Sequence, residues 1–125
     1  MAAGAFTFYD SSKLQIANST FDLDTDTLIA VLATSGYTPA LTQSNLTDIT
    51  NEVTGQSITA TGSTINIDIG DISFGSNVTI TGKYLILFDS TVSNELVSYV
   101  DLDTGGGSVS SSNSTFSVTI ASAGM

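Results

Sequence analysis

Gly82-Lys83-Tyr84-Leu85-Ile86-Leu87-Phe88-Asp89 is the stretch on which the fold turns. Five large apolar residues run without a break from Tyr84 to Phe88. The run is too short for a stable helix, and its residue types suit a pleated surface. No polar residue is left to face water on either side, so the run reads as a central strand covered on both faces. Leu28-Ile29-Ala30-Val31-Leu32-Ala33 is the one other run as continuously apolar. Elsewhere the apolar residues alternate with Thr, Ser, Asn or Asp, the pattern of strands with one wet face.

The composition agrees with this. In 125 residues there are 12 acidic and 2 basic side chains, for a net charge of −10, and there is no Cys, His or Trp. Such a field repels phosphate and anionic lipid, so neither nucleic acid nor a membrane is an expected partner. Charged residues make up 11% of the chain, yet mean hydropathy is +0.28. The polar surface is therefore mostly hydroxyl and amide, Ser and Thr being roughly 30% of the residues. Disulfides and thiolate metal sites are excluded. Met1–Ala5 has neither a basic segment nor a long apolar one, which predicts a soluble protein made in a cytoplasm without a signal peptide.

In chain order, Phe6–Tyr9 alternates as a short edge strand. Asp10, Ser11 and Ser12 offer N-cap oxygens to a short helix over Lys13–Asn18, with Leu14 and Ala17 on one face. The Leu28–Ala33 strand ends in turn chemistry at Ser35–Pro39. Residues 38–56 form the longest irregular stretch, with a helical turn expected within Thr47–Glu52. Ile65, Ile67 and Ile69 alternate with Asn66 and Asp68; the phase then slips at Gly70-Asp71, as at a bulge, before Ile72 and Phe74 turn inward. Gly75–Asn77 is a turn, and Val78–Thr81 leads into the central strand. Ser90–Asn94 is a hairpin connection to a Glu95–Leu102 strand. Asp103–Gly107 reads as a flexible loop running into Ser108–Ser114, and Thr115–Ile120 is a last one-sided strand. The expected fold is all-β: a single domain over residues 1–125, a β-sandwich or barrel-like arrangement of about seven or eight strands with one short N-terminal helix.

The chemistry is sparse. Asp22, Asp24 and Asp26 alternate and would share one face of a strand, where a hard cation could sit. An EF-hand requires Gly and Glu where this chain has Thr27 and Ala33, and Asp101 with Asp103 fails in the same way at Ser112. The plainer reading is acids that keep an exposed strand soluble and unpaired, so no metal is expected. Gly105–Gly107 has no following Lys and reads as a turn rather than a phosphate cradle. Without His there is no Ser–His pair, and a Ser–Lys dyad would need Lys13 or Lys83 buried, where an exposed or snorkelling ammonium is the ordinary expectation. A paired-carboxylate hydrolase lacks aromatic platforms. Asn18, Asn45, Asn77 and Asn113 head glycosylation sequons that so Ser/Thr-rich a chain produces by chance. No catalytic residue and no cofactor are expected.

The order of six segments resembles a family of small tailed-bacteriophage virion proteins. They are Asp22-Leu23-Asp24-Thr25-Asp26-Thr27, Thr34-Ser35-Gly36-Tyr37-Thr38-Pro39, Asp48-Ile49-Thr50-Asn51-Glu52-Val53, Tyr84–Asp89, Leu96–Leu102 and Thr115-Phe116-Ser117-Val118. The likeness runs from about Phe6 to Ile120; the helix is short, and the loop after Pro39 lacks the family's acids and His. It implies a non-catalytic structural role on the virion. The first expectation is a capsid decoration (cement) protein on the outer surface of the head, made in the host cytoplasm, with the major capsid protein and copies of itself as partners. A tail or head–tail connector component, or a carbohydrate-binding or adhesin module, is the alternative. Few charges and positive mean hydropathy suggest that apolar faces are covered by other copies, as a homotrimer. The expected interface residues are Phe6, Phe8 and Tyr9, then Tyr37, Pro39 and Leu41 of the loop region, then Phe116, Val118 and Ile120.

Overall fold

The computed structural model describes residues 3–22, 25–60 and 72–118, with no side-chain detail for 54–60. Among the described residues the fold is all-β and sandwich-like, with one short α-helix and no closed barrel. Its centre is a five-stranded antiparallel sheet in the order β1 (Thr7–Phe8), β7 (Glu95–Asp101), β6 (Tyr84–Asp89), β2 (Leu28–Ala33), β3 (Glu52–Ala60). The Tyr84–Phe88 run lies in the middle strand, as its unbroken apolar character requires, and Leu28–Ala33 lies beside it in full register from Leu28↔Asp89 to Ala33↔Tyr84.

Alternation then sorts the side chains. Leu28, Ala30, Leu32, Leu85 and Leu87 enter one core cluster, while Val31, Ala33, Ile86 and Phe88 enter a second on the opposite face. A bulge keeps β7 in phase with β6: Leu87 pairs with Ser98 but Phe88 with Leu96, so Val97 is the extra residue. Leu96 and Tyr99 therefore face the second cluster, and Val97 and Val100 the first.

The first face is covered by two small antiparallel pairs, β4 (Ile72–Ser73) with β9 (Ser117–Val118) and β5 (Val78–Gly82) with β8 (Val109–Ser114). Ile72, Phe74, Ile80 and Phe116 fill it, with Phe74 and Phe116 edge to face at 5.9 Å between ring centroids. The second face is covered by Tyr9 and by the segment after β2, through Tyr37, Leu46 and Ile49.

Several local expectations are corrected. The helix α1 begins at Asp10 and ends at Ala17, so Asp10, Ser11 and Ser12 lie inside it rather than capping it. It docks through polar groups: buried Ser12 donates to the Tyr9 carbonyl at 2.7 Å and Gln15 donates to Glu95 at 2.8 Å, while Leu14 is 61% exposed. The face turned inward carries Ser12 with the half-buried Ser11 and Gln15, which leaves Leu14 and Ala17 on the exposed side. The irregular stretch ends early, because β3 already starts at Glu52, and its helical turn is a 3-10 turn at Leu46–Asp48 closed by a reciprocal Asn45–Asp48 cap. The Ser-rich segment after the glycines is strand β8, held by its ladder to β5. Ile72 and Phe74 turn inward as expected; the alternation at 65–69 and the slip at 70–71 lie outside the described residues.

Candidate functional site

The second face of the sheet gathers all four tyrosines of the chain. Tyr84 opens β6 and Tyr99 lies on the neighbouring β7, their rings edge to face at 6.5 Å. Tyr9, at the entry to α1, tilts against Tyr99 at 5.3 Å, and Tyr37, in the turn after β2, meets Tyr84 edge-on at 5.6 Å. The circuit closes where the Tyr9 and Tyr37 hydroxyls meet at 2.8 Å.

The proton order in this circuit follows from its last member. The Tyr37 hydroxyl donates to Gln43 Oε1 at 2.6 Å, which leaves it to accept from Tyr9. Gln43 Oε1 also accepts the Ala40 N–H at 3.1 Å, so one amide fixes both the loop backbone and the tyrosine chain. Burial raises both phenols above their ordinary value, and for Tyr9 donation to Tyr37 adds to the effect. Both remain neutral donors at any physiological pH. Nearby, the N–H groups of Ser44 and Asn45 hold the Asp48 carboxyl below the usual carboxylate range, fixing the 3-10 turn as an acceptor.

Tyr84 and Tyr99 are only half buried. Their outer edges line a groove of about 360 Å³ with Thr7, Pro39, Asp101 and Thr104. Asp101 is anchored from behind. Lys83, 8% exposed, places its ammonium 3.0 and 3.2 Å from the two Asp101 oxygens and donates to the carbonyls of Asp103 at 3.0 Å and Gly107 at 3.2 Å. The expectation of an exposed or snorkelling Lys83 is thereby corrected: the ammonium is enclosed by loop oxygens and lies 5.4 Å from the centre of the Tyr84 ring. The glycines allow the loop to close around it. Gly106 takes a φ of +95°, and a Cβ on Gly107 would meet Asp103 Oδ2 at 2.6 Å. The Asp103–Gly107 loop is thus wound on a charged centre rather than left free.

The expected interface residues divide. Tyr9 (0% exposed), Tyr37 (1%) and Phe116 (6%) are buried within the chain itself, so their assignment to an outer contact surface is corrected; they pack the two faces of the sheet. Phe6 and Phe8 are partly buried against the first core cluster. Pro39 lies on the tyrosine groove, and Leu41 is 39% exposed, its carbonyl accepting the Asp10 N–H at 3.0 Å. Val118 lines a separate groove of about 420 Å³ with Leu102 and Val109 on the other face. Ile120 lies outside the described residues. Tyr84, Tyr99 and Asp101 are not anticipated as a surface; the available signal is that Tyr84 opens the central apolar run while Tyr37 follows the other apolar strand.

Compared with protein-family models, curated proteins and solved structures, the chain matches none.

Proposed function

We propose that this chain is a capsid decoration protein of a tailed bacteriophage, a non-catalytic domain that binds the outer surface of the head and reinforces the shell. The observation that carries the reading is the way the segments behind the family resemblance interlock. Thr34 N–H bonds the Asn51 carbonyl at 3.0 Å, joining Thr34–Pro39 to Asp48–Val53. Tyr37 then packs on Tyr84, and Tyr84 pairs with Asp101, joining both to the β6 and β7 segments. Phe116 enters the first core cluster with Leu85 and Leu87 of β6 and Val97 and Val100 of β7. Segments distant in sequence thus form one contact network, as expected of a pattern that encodes a single architecture.

The major capsid protein is the proposed partner, met through the tyrosine groove and the exposed Leu41. A net charge of −10 suits a position outside the shell, away from packaged DNA. Further copies of the chain complete a trimer. Because charges are few, attachment rests on apolar and hydrogen-bonded contacts that salt does not screen. Co-sedimentation of the chain with undecorated heads across a salt series tests this; binding that survives molar salt is expected, and release by moderate salt would overturn it. The groove supports a second reading, since half-exposed tyrosines beside an aspartate also suit a carbohydrate-binding module. Binding on a glycan array with loss in Tyr99→Ala would favour that reading.

A further inference from the structure

At the far end of β6 the fold buries a carboxylate and leaves half of it without a donor. Asp89 is 0% exposed. Its Oδ1 accepts the N–H groups of Thr91 and Val92 at 2.9 and 3.2 Å, whereas Oδ2 has no hydrogen-bond donor. Against it lies the carboxyl of Asp26, on the loop before β2, whose Oδ2 accepts the Asp22 N–H at 2.8 Å. Two ionised carboxylates in contact repel each other strongly.

Among the described residues no cation relieves them. The chain's only two basic side chains are engaged elsewhere, Lys13 with Asp10 and Lys83 with Asp101. Among the described residues, the other ionisable groups around the pair are acids. Glu95 is the register partner of Asp89 on β7 and accepts from Gln15, and Asp22 shares the Asp26 loop. Among the described residues no three acidic side chains are grouped to hold a metal ion.

We propose that Asp26 and Asp89 share one proton, and that this proton is a pH-sensitive latch closing the loop before β2 onto the β6–β7 turn. Hydrogen bonds between described residues also cross the seam it closes. Ser90 donates its N–H and its hydroxyl to the Thr27 carbonyl, both at 3.0 Å, and Thr27 N–H donates to Thr91 Oγ1 at 2.9 Å. Burial first, then the Asp26 contact, pushes the Asp89 carboxyl up to about 6 from an ordinary 3.8. With the folded value above the unfolded one, the stabilisation is complete below the unfolded value and is lost as pH rises through about 6. The proton is then gone at neutral pH, and the folding equilibrium constant falls on the order of a hundredfold from this group.

Thermal melts in chelator from about pH 4.5 to about pH 8 test the latch, with the Asp89 side-chain carbon followed by NMR. The wild-type melting temperature is expected to rise on acidification through about pH 6, together with the Asp89 titration. Asp89→Asn keeps the Thr91 and Val92 acceptor and gives Asp26 an amide donor. It is therefore expected to fold, to melt higher than wild type at neutral pH and to lose most of the pH dependence; Asp26→Asn should do the same from the other side. An Asp89 midpoint in the ordinary carboxylate range would overturn the proposal. So would amide variants that melt below wild type at neutral pH or fail to fold. A calcium-dependent rise in wild-type melting temperature, abolished in Asp26→Asn, would replace the proton with a bound cation and overturn it as well.

Discussion

Replacing Lys83 by Met removes the charge at the centre of the Asp103–Gly107 loop while keeping an apolar stem of similar length. Four donor contacts go: two to Asp101, one to Asp103 and one to Gly107. Hydrogen bonds to a charged group contribute about 1.5–3 kcal/mol, and breaking a buried ion pair costs about 3–5 kcal/mol. The upper figure is too large here, because the Asp101 side chain is 29% exposed and water replaces part of what is lost. Asp101 also keeps the Asp103 N–H at 2.9 Å. The net cost is about 2–4 kcal/mol, which for a domain of this size lowers the melting temperature by roughly 10 °C. Lys83→Met with Asp101→Leu should recover part of the loss, since no carboxylate is then left facing a methionine. Melts by circular dichroism, with hydrogen exchange at Gly105–Gly107, are the assay. A single variant within about 2 °C of wild type, or a double variant much worse than the single, would refute the account of the loop.

Three further outcomes are expected. Ile86→Asp should abolish folding, because an unpaired carboxylate on a strand covered on both faces costs more than such a domain's whole stability; a soluble variant with a cooperative melt would refute the central-strand reading. Tyr37→Phe should cost more than Tyr9→Phe, about 2 against about 1 kcal/mol, because only the first leaves a buried hydroxyl without its acceptor. Equal costs in denaturant titrations would contradict the proton order from Tyr9 to Tyr37 to Gln43. Light scattering should give three copies per particle for the purified chain, or for the chain released intact from heads, and a monomer in both states would remove the trimer.

The middle of the fold was legible because its signal is local. Tyr84–Phe88 and Leu28–Ala33 announce buried strands without reference to any partner, and the alternation at Ile72 and Phe74 fixes which side chains turn in. Strand β8 was not legible: Val109–Ser114 has one apolar residue, and its pairing comes from a ladder to β5, with Ser111 donating to the Val78 carbonyl at 2.8 Å. Strand propensity reports packing context more than backbone preference, so a polar strand on a small sheet leaves little trace. The start of β3 at Glu52 was hidden in the same way, behind a polar stretch.

The site was legible only in part, since its geometry depends on contacts between distant residues. The Lys83 cage draws on acceptors 18 to 24 positions further along the chain. An alternating edge strand and a Pro-containing loop both read as surface, which points Tyr9 and Tyr37 outward. Tyr9 instead donates its hydroxyl to Tyr37, and Tyr37 donates its own to Gln43, which permits burial. The Asp22–Asp26 alternation alone reads as solvated, and the approach of Asp26 to Asp89 is a tertiary contact that neither segment signals.

The most direct test of the proposed function is a cryo-electron microscopy reconstruction of the parent phage head, with and without this chain. The account requires trimeric density on the outer surface at the local threefold positions, in a copy number that scales with the capsid subunits, with Tyr84, Tyr99 and Leu41 turned toward the shell. Density confined to the tail or to a single ring at the portal vertex, or a head identical in the two reconstructions, would contradict it.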